Sequence, residues 1–346
     1  MRAYHSLLAS LALAGVVAAP ARGAPLEVEV YRAAGTPQQL ELRGRVYRDR
    51  VSGAIPAGEG AKGEALRKNA GALLTDEIEG AEVVVEAAGQ QGKAVTDEDG
   101  FFALTLSFEP PAAPGRLQVV ARARKGDEEA SGEELALIRP AAGELLVITD
   151  FDDTQVHTHV TSKGKFLESV FLRDAGSLEV IPRMPGLMRC LALGRSARGE
   201  RSTSIHYLSA SPVNFHGKLS AFLTRHRFPL GAIHLRHLEV NNLSDSSPYK
   251  KERIAQIAAR FPGYPILLMG DGGEHDPEVY RELREQLGDR VKLILIRKVE
   301  GEDESPARFE GMKRYVDGSD AAATLIEAGL LHPACAEYRP KEKKAP

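Results

Sequence analysis

The sequence predicts an α/β fold, a Rossmann-like parallel sheet with helices on its faces, preceded by a small all-β sandwich. Three observations carry this expectation. Between Leu26 and about Pro140, short stretches alternate apolar and polar residues and are broken by turn residues, as half-buried strands require. From Glu144 onward, apolar strand-like runs alternate with amphipathic stretches of helical spacing, the grammar of a parallel sheet. The chain has 346 residues, 43% of them hydrophobic, enough for two cores, so two domains are expected.

In chain order, residues 1–23 read as a signal peptide: Arg2, an apolar run from Leu7 to Ala19, then small residues, with cleavage after Ala21 or Gly23. That run is shorter than the roughly 20 residues of a membrane span, and no cysteine follows it to take a lipid. The expected location is therefore exported, periplasmic or secreted. Residues 25–140 form the sandwich, with strands at "LELRGRVYR", "AEVVVEAA", "FFALTL", "RLQVVARAR" and "EELALI". The acidic turn "TDEDGFF" needs Gly100 to reverse the chain. The Gly/Ala-rich stretch from Ser52 to Gly80 reads as an insertion with one helix at "GEALRKNAGALL".

Residues 144–335 carry the parallel sheet. Its strands are "LLVIT", "IHYLS", "AIHLR", "YPILLMG" and "VKLILIRK"; helices are expected at "KFLESVFLRD", "PGLMRCLALG", "KLSAFLTRH", "KKERIAQIAARF" and "PEVYRELREQL". Residues 336–346 are a solvated basic tail. A net charge of -3 gives no electrostatic reason to expect nucleic acid as partner. Cys190 and Cys335 leave two readings open, a disulfide or a buried thiol at Cys190.

Ligands on parallel sheets bind at the carboxyl ends of strands, so the residues there were weighed for chemistry. The first strand runs into Asp150, Phe151, Asp152, Asp153 and Thr154; two carboxylates at i and i+2 can face one phosphate, one as nucleophile and one as proton carrier. Ser209 follows "IHYL", where a hydroxyl and backbone amides suit a phosphate oxygen, although a serine after a strand is commonly a helix cap. Lys250 and Lys251 open an amphipathic helix against its dipole, which asks for a negative partner. In "ILLMGDGGEHDPEVY", Asp271 and Asp276 flank a glycine turn suited to a hard cation. Each piece alone has a bland reading as a turn or a cap; four in order do not. His157 and His159 have a metal-ligand spacing but no third partner, so they read as ordinary histidines.

These pieces resemble the haloacid dehalogenase-like superfamily, and within it the catalytic domain of actin-patch-protein-type phosphatidate phosphatases, with lipins as more distant cousins. The resemblance runs from about Glu144 to Lys298 through "DFDDTQVHTHV", "YLSASPVNF", "FPLGAIHLR", "KKERIAQIAARFP" and "GDGGEHDPEVY". Phe151 stands where the family usually has isoleucine, Val213 where it has an interfacial tryptophan, and Gly272 where it has serine. The sandwich segment resembles the carboxypeptidase regulatory-like, transthyretin-like fold.

The resemblance implies Asp150 as nucleophile, Asp152 as general acid/base, Thr154, Ser209 and Lys250 as phosphate-binding groups, and Mg²⁺ held by Asp150, Asp152 (through its carbonyl), Asp271 and Asp276. It implies hydrolysis of phosphomonoesters, phosphatidate-like lipids first, with contact to a membrane or envelope surface as a corollary. Only about 50 residues separate the first two motifs, too few for a large cap, which suits bulky substrates. Two other expectations differ in class: a ligand-binding envelope protein on a decayed phosphatase fold, and a nucleotidase or phosphotransferase of the same superfamily.

Overall fold

A computed structural model describes residues 24–49, 75–157, 179–194, 203–237 and 246–336. The leader, the helices expected at "GEALRKNAGALL" and "KFLESVFLRD", and the tail beyond Ala336 lie outside the described residues. Among those described, no helix is long and apolar enough to cross a membrane.

The N-terminal half contains β1 (Glu27–Val30), β2 (Ala34–Gly35), β3 (Gln39–Asp49), β4 (Thr75–Glu77), β5 (Glu82–Ala87), β6 (Gln90–Val95), β7 (Phe101–Ser107), β8 (Gly115–Lys125) and β9 (Glu128–Ile138). β1, β3, β4 and β7 make one sheet; β2, β9, β8, β5 and β6 make the other, in that order. Alternate residues of both sheets meet in one core: Leu40, Leu42 and Val46 of β3 and Phe102 and Leu106 of β7 pack with Val83 and Val85 of β5 and Val119 and Ala121 of β8. The acidic turn closes as its residues demand. Asp97 Oδ1 accepts from the amides of Asp99 (3.1 Å) and Phe101 (2.8 Å), and Gly100 takes φ +72°, where an added Cβ would lie 2.6 Å from the Val46 carbonyl.

The second half is built on β10 (Leu145–Asp150), β13 (Thr203–Pro212), β14 (Ala232–Arg236), β15 (Ile266–Asp271), β16 (Val291–Arg297) and β17 (Lys313–Tyr315), all parallel, in the order β14-β13-β10-β15-β16-β17. A small antiparallel pair, β11 (Val156–His157) and β12 (Glu179–Val180), lies outside this sheet. The helices are α1 (Met184–Leu193), α2 (His216–Arg225), α3 (Ser247–Arg260), α4 (Asp276–Leu287) and α5 (Gly318–Glu327).

Covered on both faces, the central strands read as unbroken apolar runs, and all six residues of β10 are buried. Val147 packs with α1, α2 and α5 through Leu187, Leu191, Phe222 and Leu325, whereas Leu146 and Ile148 pack with α3 and α4 through Ile254, Ile257, Val279 and Leu283. β13 and β15 flank β10, so the chain moves outward to β14 and then crosses back to β15. This makes the carboxyl end of β10 a topological switch point, where such sheets open a crevice.

The outer edge of β14 is not left bare. The Ile233 amide donates to the Arg32 carbonyl (3.0 Å), and the Arg32 amide donates to Nε2 of His216 (2.9 Å). The segment between β1 and β2 thus covers an edge that would otherwise present unpaired groups.

Cys190 of α1 and Cys335, in a short 3₁₀ turn, form a disulfide with Cα atoms 6.0 Å apart and 145 residues between them in sequence. The alternative of a buried thiol gives way to this pair. Closing a loop of that length removes about 5 kcal/mol of unfolded-chain entropy on the loop-closure model. We expect reduction, or Cys190→Ala, to cost about 2–5 kcal/mol, read as the shift in a denaturant melt of the oxidised protein against the reduced one; equal midpoints would show that the bridge contributes nothing.

Candidate active site

Asp150 ends β10 at the switch point and is 1% exposed. The residue after it, Phe151, turns away into the core, edge-on to Phe222 with ring centroids 5.5 Å apart. That leaves Asp152 on the site side, where it is only partly buried. The loop is held shut by local bonds: the Gln155 amide donates to the Phe151 carbonyl (2.9 Å), and the Gln155 side chain donates to Thr149 Oγ1 (2.7 Å). Asp153 sits at φ 51°, a left-handed position tolerable for aspartate. Arg297, the last residue of β16, donates to the Asp153 carbonyl from the far side.

Lys250 is the centre of the site. Its ammonium lies 2.7 Å from Asp150 Oδ1, 2.6 Å from Asp276 Oδ1 and 3.3 Å from Glu274 Oε2. It reaches inward because it stands one turn before Ile254 on the face of α3 that packs against the sheet. Lys251 points outward to Glu282, 2.5 Å away, and takes no part.

Asp271 ends β15, with Oδ1 accepting from the Gly273 amide (2.7 Å) and the Glu274 amide (3.3 Å). Asp276 is the first residue of α4, fully buried, and its Oδ2 accepts from the Asp271 amide at 3.2 Å. It opens the helix as its first residue; His275 holds the cap position. Gly270 makes room for it, since a Cβ there would lie 2.4 Å from Asp276 Oδ2.

Ser209 donates to Asp152 Oδ2 (2.6 Å) and accepts from the Ser211 amide (3.0 Å). It was expected just past a strand, but β13 continues to Pro212 with its register disturbed after Leu208. The irregular end of the strand, and not a helix cap, aims the hydroxyl: α2 begins only at His216. Thr154 is fully buried beneath the loop, its hydroxyl without a hydrogen-bond partner. His157 is described only as part of β11, and His159 lies outside the described residues.

Three carboxylates, those of Asp150, Asp276 and Glu274, thus contact one ammonium, and those of Asp152 and Asp271 lie close enough to feel its charge. Burial pushes the Asp150 and Asp271 carboxyls well above the ordinary range and Asp276 upward, and Lys250 opposes this. Lys250 itself is loaded by burial, yet Asp150, Asp276 and Glu274 hold it charged far above its usual value. Burial also carries Asp152 to about 7, with the Ser209 bond pulling it down and Glu274 pushing it up.

Asp150, Asp271 and Asp276 each offer an oxygen, all within 4.8 Å of one another. Asp150 Oδ2 is buried and finds no hydrogen-bond partner among the described residues. A surplus of hard, anionic oxygen donors with one of them orphaned fits a divalent cation of the Mg²⁺ kind. The carboxylate of Asp152 stands outside this triad, bonded to Ser209.

Two residues at the site were not anticipated. Glu274 lies in the quoted turn between Asp271 and Asp276, and only its contact with Lys250 distinguishes it from a solvated turn residue. Arg297 ends β16, and in the sequence nothing but its place at a strand end sets it apart from an ordinary polar strand terminus.

An acid pair at the end of the central strand, a hydroxyl on the next strand, a buried lysine and a second acid pair thus meet at the carboxyl end of one parallel sheet. Residues 145–298 match the family model of the phosphatidate phosphatase APP1 catalytic domain. The chain is 31% identical to phosphatidate phosphatase APP1 of Saccharomyces cerevisiae over 156 residues, 44% of this chain and 25% of that protein. It is 27% identical to an uncharacterized protein of Schizosaccharomyces pombe over 159 residues, 45% of this chain and 25% of that one. The chain therefore spans about a quarter of the length of these relatives. Among solved structures, an endo-beta-1,4-mannanase from Thermotoga petrophila aligns at 8% identity and a TM-score of 0.22, over 39% of this chain and 24% of that one, too slight a likeness to bear on the fold.

The raised carboxyls set the pH dependence of the metal-free fold. An acid whose folded pKa exceeds its unfolded one leaves the folded state with more protons bound, so its contribution to stability is present at low pH and lost as pH rises. The window opens above the ordinary value of 3.8 and, for Asp152, runs through about 7. Without metal, the melting temperature should fall between about pH 5 and about pH 8; Mg²⁺ should raise it, more at the higher pH, and Asp271→Asn should abolish that rise. Calorimetric scans with and without Mg²⁺ check this, and a Mg²⁺ response independent of pH would contradict it.

Proposed function

We propose that this protein is an exported phosphatase that hydrolyses phosphomonoesters, phosphatidate-like lipids foremost, through an aspartyl-phosphate and with Mg²⁺. The observation that carries this reading is Asp150: one oxygen is held by Lys250, and the other is buried without a partner, beside an Asp152 poised to carry a proton at neutral pH. Export is supported by the leader-like N-terminus and by the disulfide, a bond that persists in oxidising compartments. The lipid substrate is supported by what the family and the yeast relative are called.

In the first step Asp150 attacks phosphorus, the bond from phosphorus to the ester oxygen breaks, and Asp152 gives its proton to that oxygen, releasing the alcohol. In the second, Asp152 as carboxylate takes a proton from water, whose oxygen attacks phosphorus and frees Asp150 and inorganic phosphate. Ser209 keeps the Asp152 carboxylate in place, and once Asp152 carries its own proton the Ser209 hydroxyl is free to donate to a phosphoryl oxygen. Thr154 is the second hydroxyl available beneath the loop, and Lys250 offsets the negative charge that gathers on Asp150 and the phosphoryl oxygens. Mg²⁺, held by Asp150, Asp271 and Asp276 with the carbonyl of Asp152, would supply charge neutralisation at the phosphoryl group.

Phosphate release from phosphatidate and from soluble phosphomonoesters, with Mg²⁺ or with EDTA, tests the activity; release from nothing in the panel would favour the ligand-binding reading instead. Asp150→Asn should lower turnover by about 10⁴-fold or more and form no phosphoenzyme. Asp152→Asn, given a nitrophenyl ester that leaves without a proton, should still form the adduct and hydrolyse it slowly, by about 10²–10⁴-fold. Acid-quenched mass spectrometry reads both, and an adduct found in Asp150→Asn would sink this mechanism.

A further inference from the structure

A cavity of about 280 Å³ lies between the sandwich and the parallel sheet, and none of the active-site residues lines it. The sandwich contributes Arg43 of β3 and Phe101 of β7; the other wall contributes His234 of β14 and Arg253 and Arg260 of α3. The volume stands near the lower end of pockets for small organic ligands, about 300–1,000 Å³, and far above the roughly 30 Å³ of a single water.

The charges in this wall do not cancel. Arg32, Arg43, Arg253 and Arg260 face two acids, Glu41 and Asp97. Arg32 is served elsewhere, by Glu134 at 3.4 Å and Ser220 Oγ at 2.6 Å. Asp97 is spent on its own turn. Glu41 must serve both Arg43, at 2.8 Å, and Arg260. Arg253 reaches the Tyr249 ring, 6.0 Å from its centroid, and among the described residues makes no ion pair with a carboxylate. Burial and the positive charge of Arg43 both press the Arg253 guanidinium downward from its usual value. Gathering like charges where water is partly excluded is costly unless an anion joins them.

His234 lines the cavity, and a chain of polar groups stands behind it. His206 Nε2 is 3.0 Å from Ser204 Oγ, and His206 Nδ1 is 2.9 Å from His234 Nε2. Burial holds His206 neutral, down to about 3, and His234 well below its usual range, with Arg253 and Arg43 adding to the effect. With both rings neutral, one proton order runs outward: the serine hydroxyl donates to His206, His206 donates to His234, and Nδ1 of His234 is left as a donor. An anion selects this order over its reverse.

We propose that this cavity is a second anion site, which takes the phosphate group of a small phosphomonoester between Arg43 and Arg253, with His234 donating from below. Two guanidinium forks suit a tetrahedral dianion, and Phe101 and the adjoining Ile233 and Leu235 give its organic part an apolar wall. Because Arg43 comes from the sandwich and Arg253 from α3, the ligand ties the sandwich to α3, three residues along from Lys250.

The test uses the full chain in EDTA, with titration calorimetry of inorganic phosphate and of glycerol 3-phosphate, on wild type and on Arg43→Gln and Arg253→Gln. Wild type should bind glycerol 3-phosphate more tightly than phosphate, and each substitution should weaken it by about tenfold or more, while turnover of a soluble phosphomonoester with Mg²⁺ stays within about twofold. Retained turnover shows that the variants are folded; if Arg43→Gln fails that check, Arg253→Gln decides alone. Phosphatidylcholine vesicles with and without phosphatidate separate the sources of the group: capture lost with the same substitutions assigns a lipid headgroup, and no capture assigns a soluble ester. Unchanged affinity in both variants, or binding of neither small probe, overturns the proposal.

Discussion

The ammonium of Lys250, buried against Asp150, Asp276 and Glu274, is the interaction on which the rest of the second half depends. It joins three segments far apart in sequence: the end of β10, the first turn of α3, and the turn from β15 into α4. Buried charges do not stabilise by their attraction alone, because each must first give up water. What they do is make every alternative arrangement expensive, since losing one partner of such a cluster strands the others at a cost of about 3–5 kcal/mol. The cluster is therefore better understood as fixing the register of α3 and α4 on the sheet than as a net source of stability. The same surplus of negative charge that strains the fold is what a divalent cation would relieve, so the electrostatic strain and the proposed chemistry have one origin.

That origin is topological. A parallel sheet whose order reverses beside its first strand must leave the carboxyl end of that strand open, and helices entering and leaving there bring their first turns to the opening. Asp150 and Asp271 end neighbouring strands, Lys250 and Asp276 begin the helices on either side of β15, and Ser209 comes from the strand on the other side of β10. Five positions spread over more than 120 residues of sequence (Asp150 to Asp276) converge because all of them are element ends on one edge of one sheet.

This explains why the candidate site was legible in the sequence. Strand ends can be read from apolar runs such as "LLVIT" and "YPILLMG", and Asp150 and Asp271 follow those runs directly. Legibility fails where the signal is not periodic. β6, "QQGKAV", alternates partly buried and exposed residues with Ala94 as the one apolar side chain among its inward positions Gln90, Gly92 and Ala94, so its partner β5 betrays it better than its own pattern does. The placement of Ser209 was off by the length of an irregular strand end, because a lapse in pairing after Leu208 leaves no trace in composition. Arg297 looked like the polar end of a strand, and its role in holding the Asp153 carbonyl is a matter of distance alone. The pairing of Cys190 with Cys335 likewise needed the fold, which brings α1 against the last turn of the described chain.

The junction between the two halves follows a different physics from the active site, and the contrast is informative. In the active site the excess charge is negative and enclosed within one sheet; at the junction it is positive and contributed by both halves. α3 serves both places: its inward face carries Lys250 and Ile254 to the acidic cluster and the core, while Arg253 and Arg260 look toward the sandwich. A helix so placed cannot slide along its axis without disturbing both, because a shift of one residue, about 1.5 Å, is comparable to the margin between an ion pair and none. Contacts such as Arg32 to His216 and Arg260 to Glu41 then do more than attach a sandwich to an enzyme-like domain. Arg260 gives the sandwich a hold on the element that positions the central lysine, and His216 a hold on α2, which is a physical reason for the two units to lie in one chain.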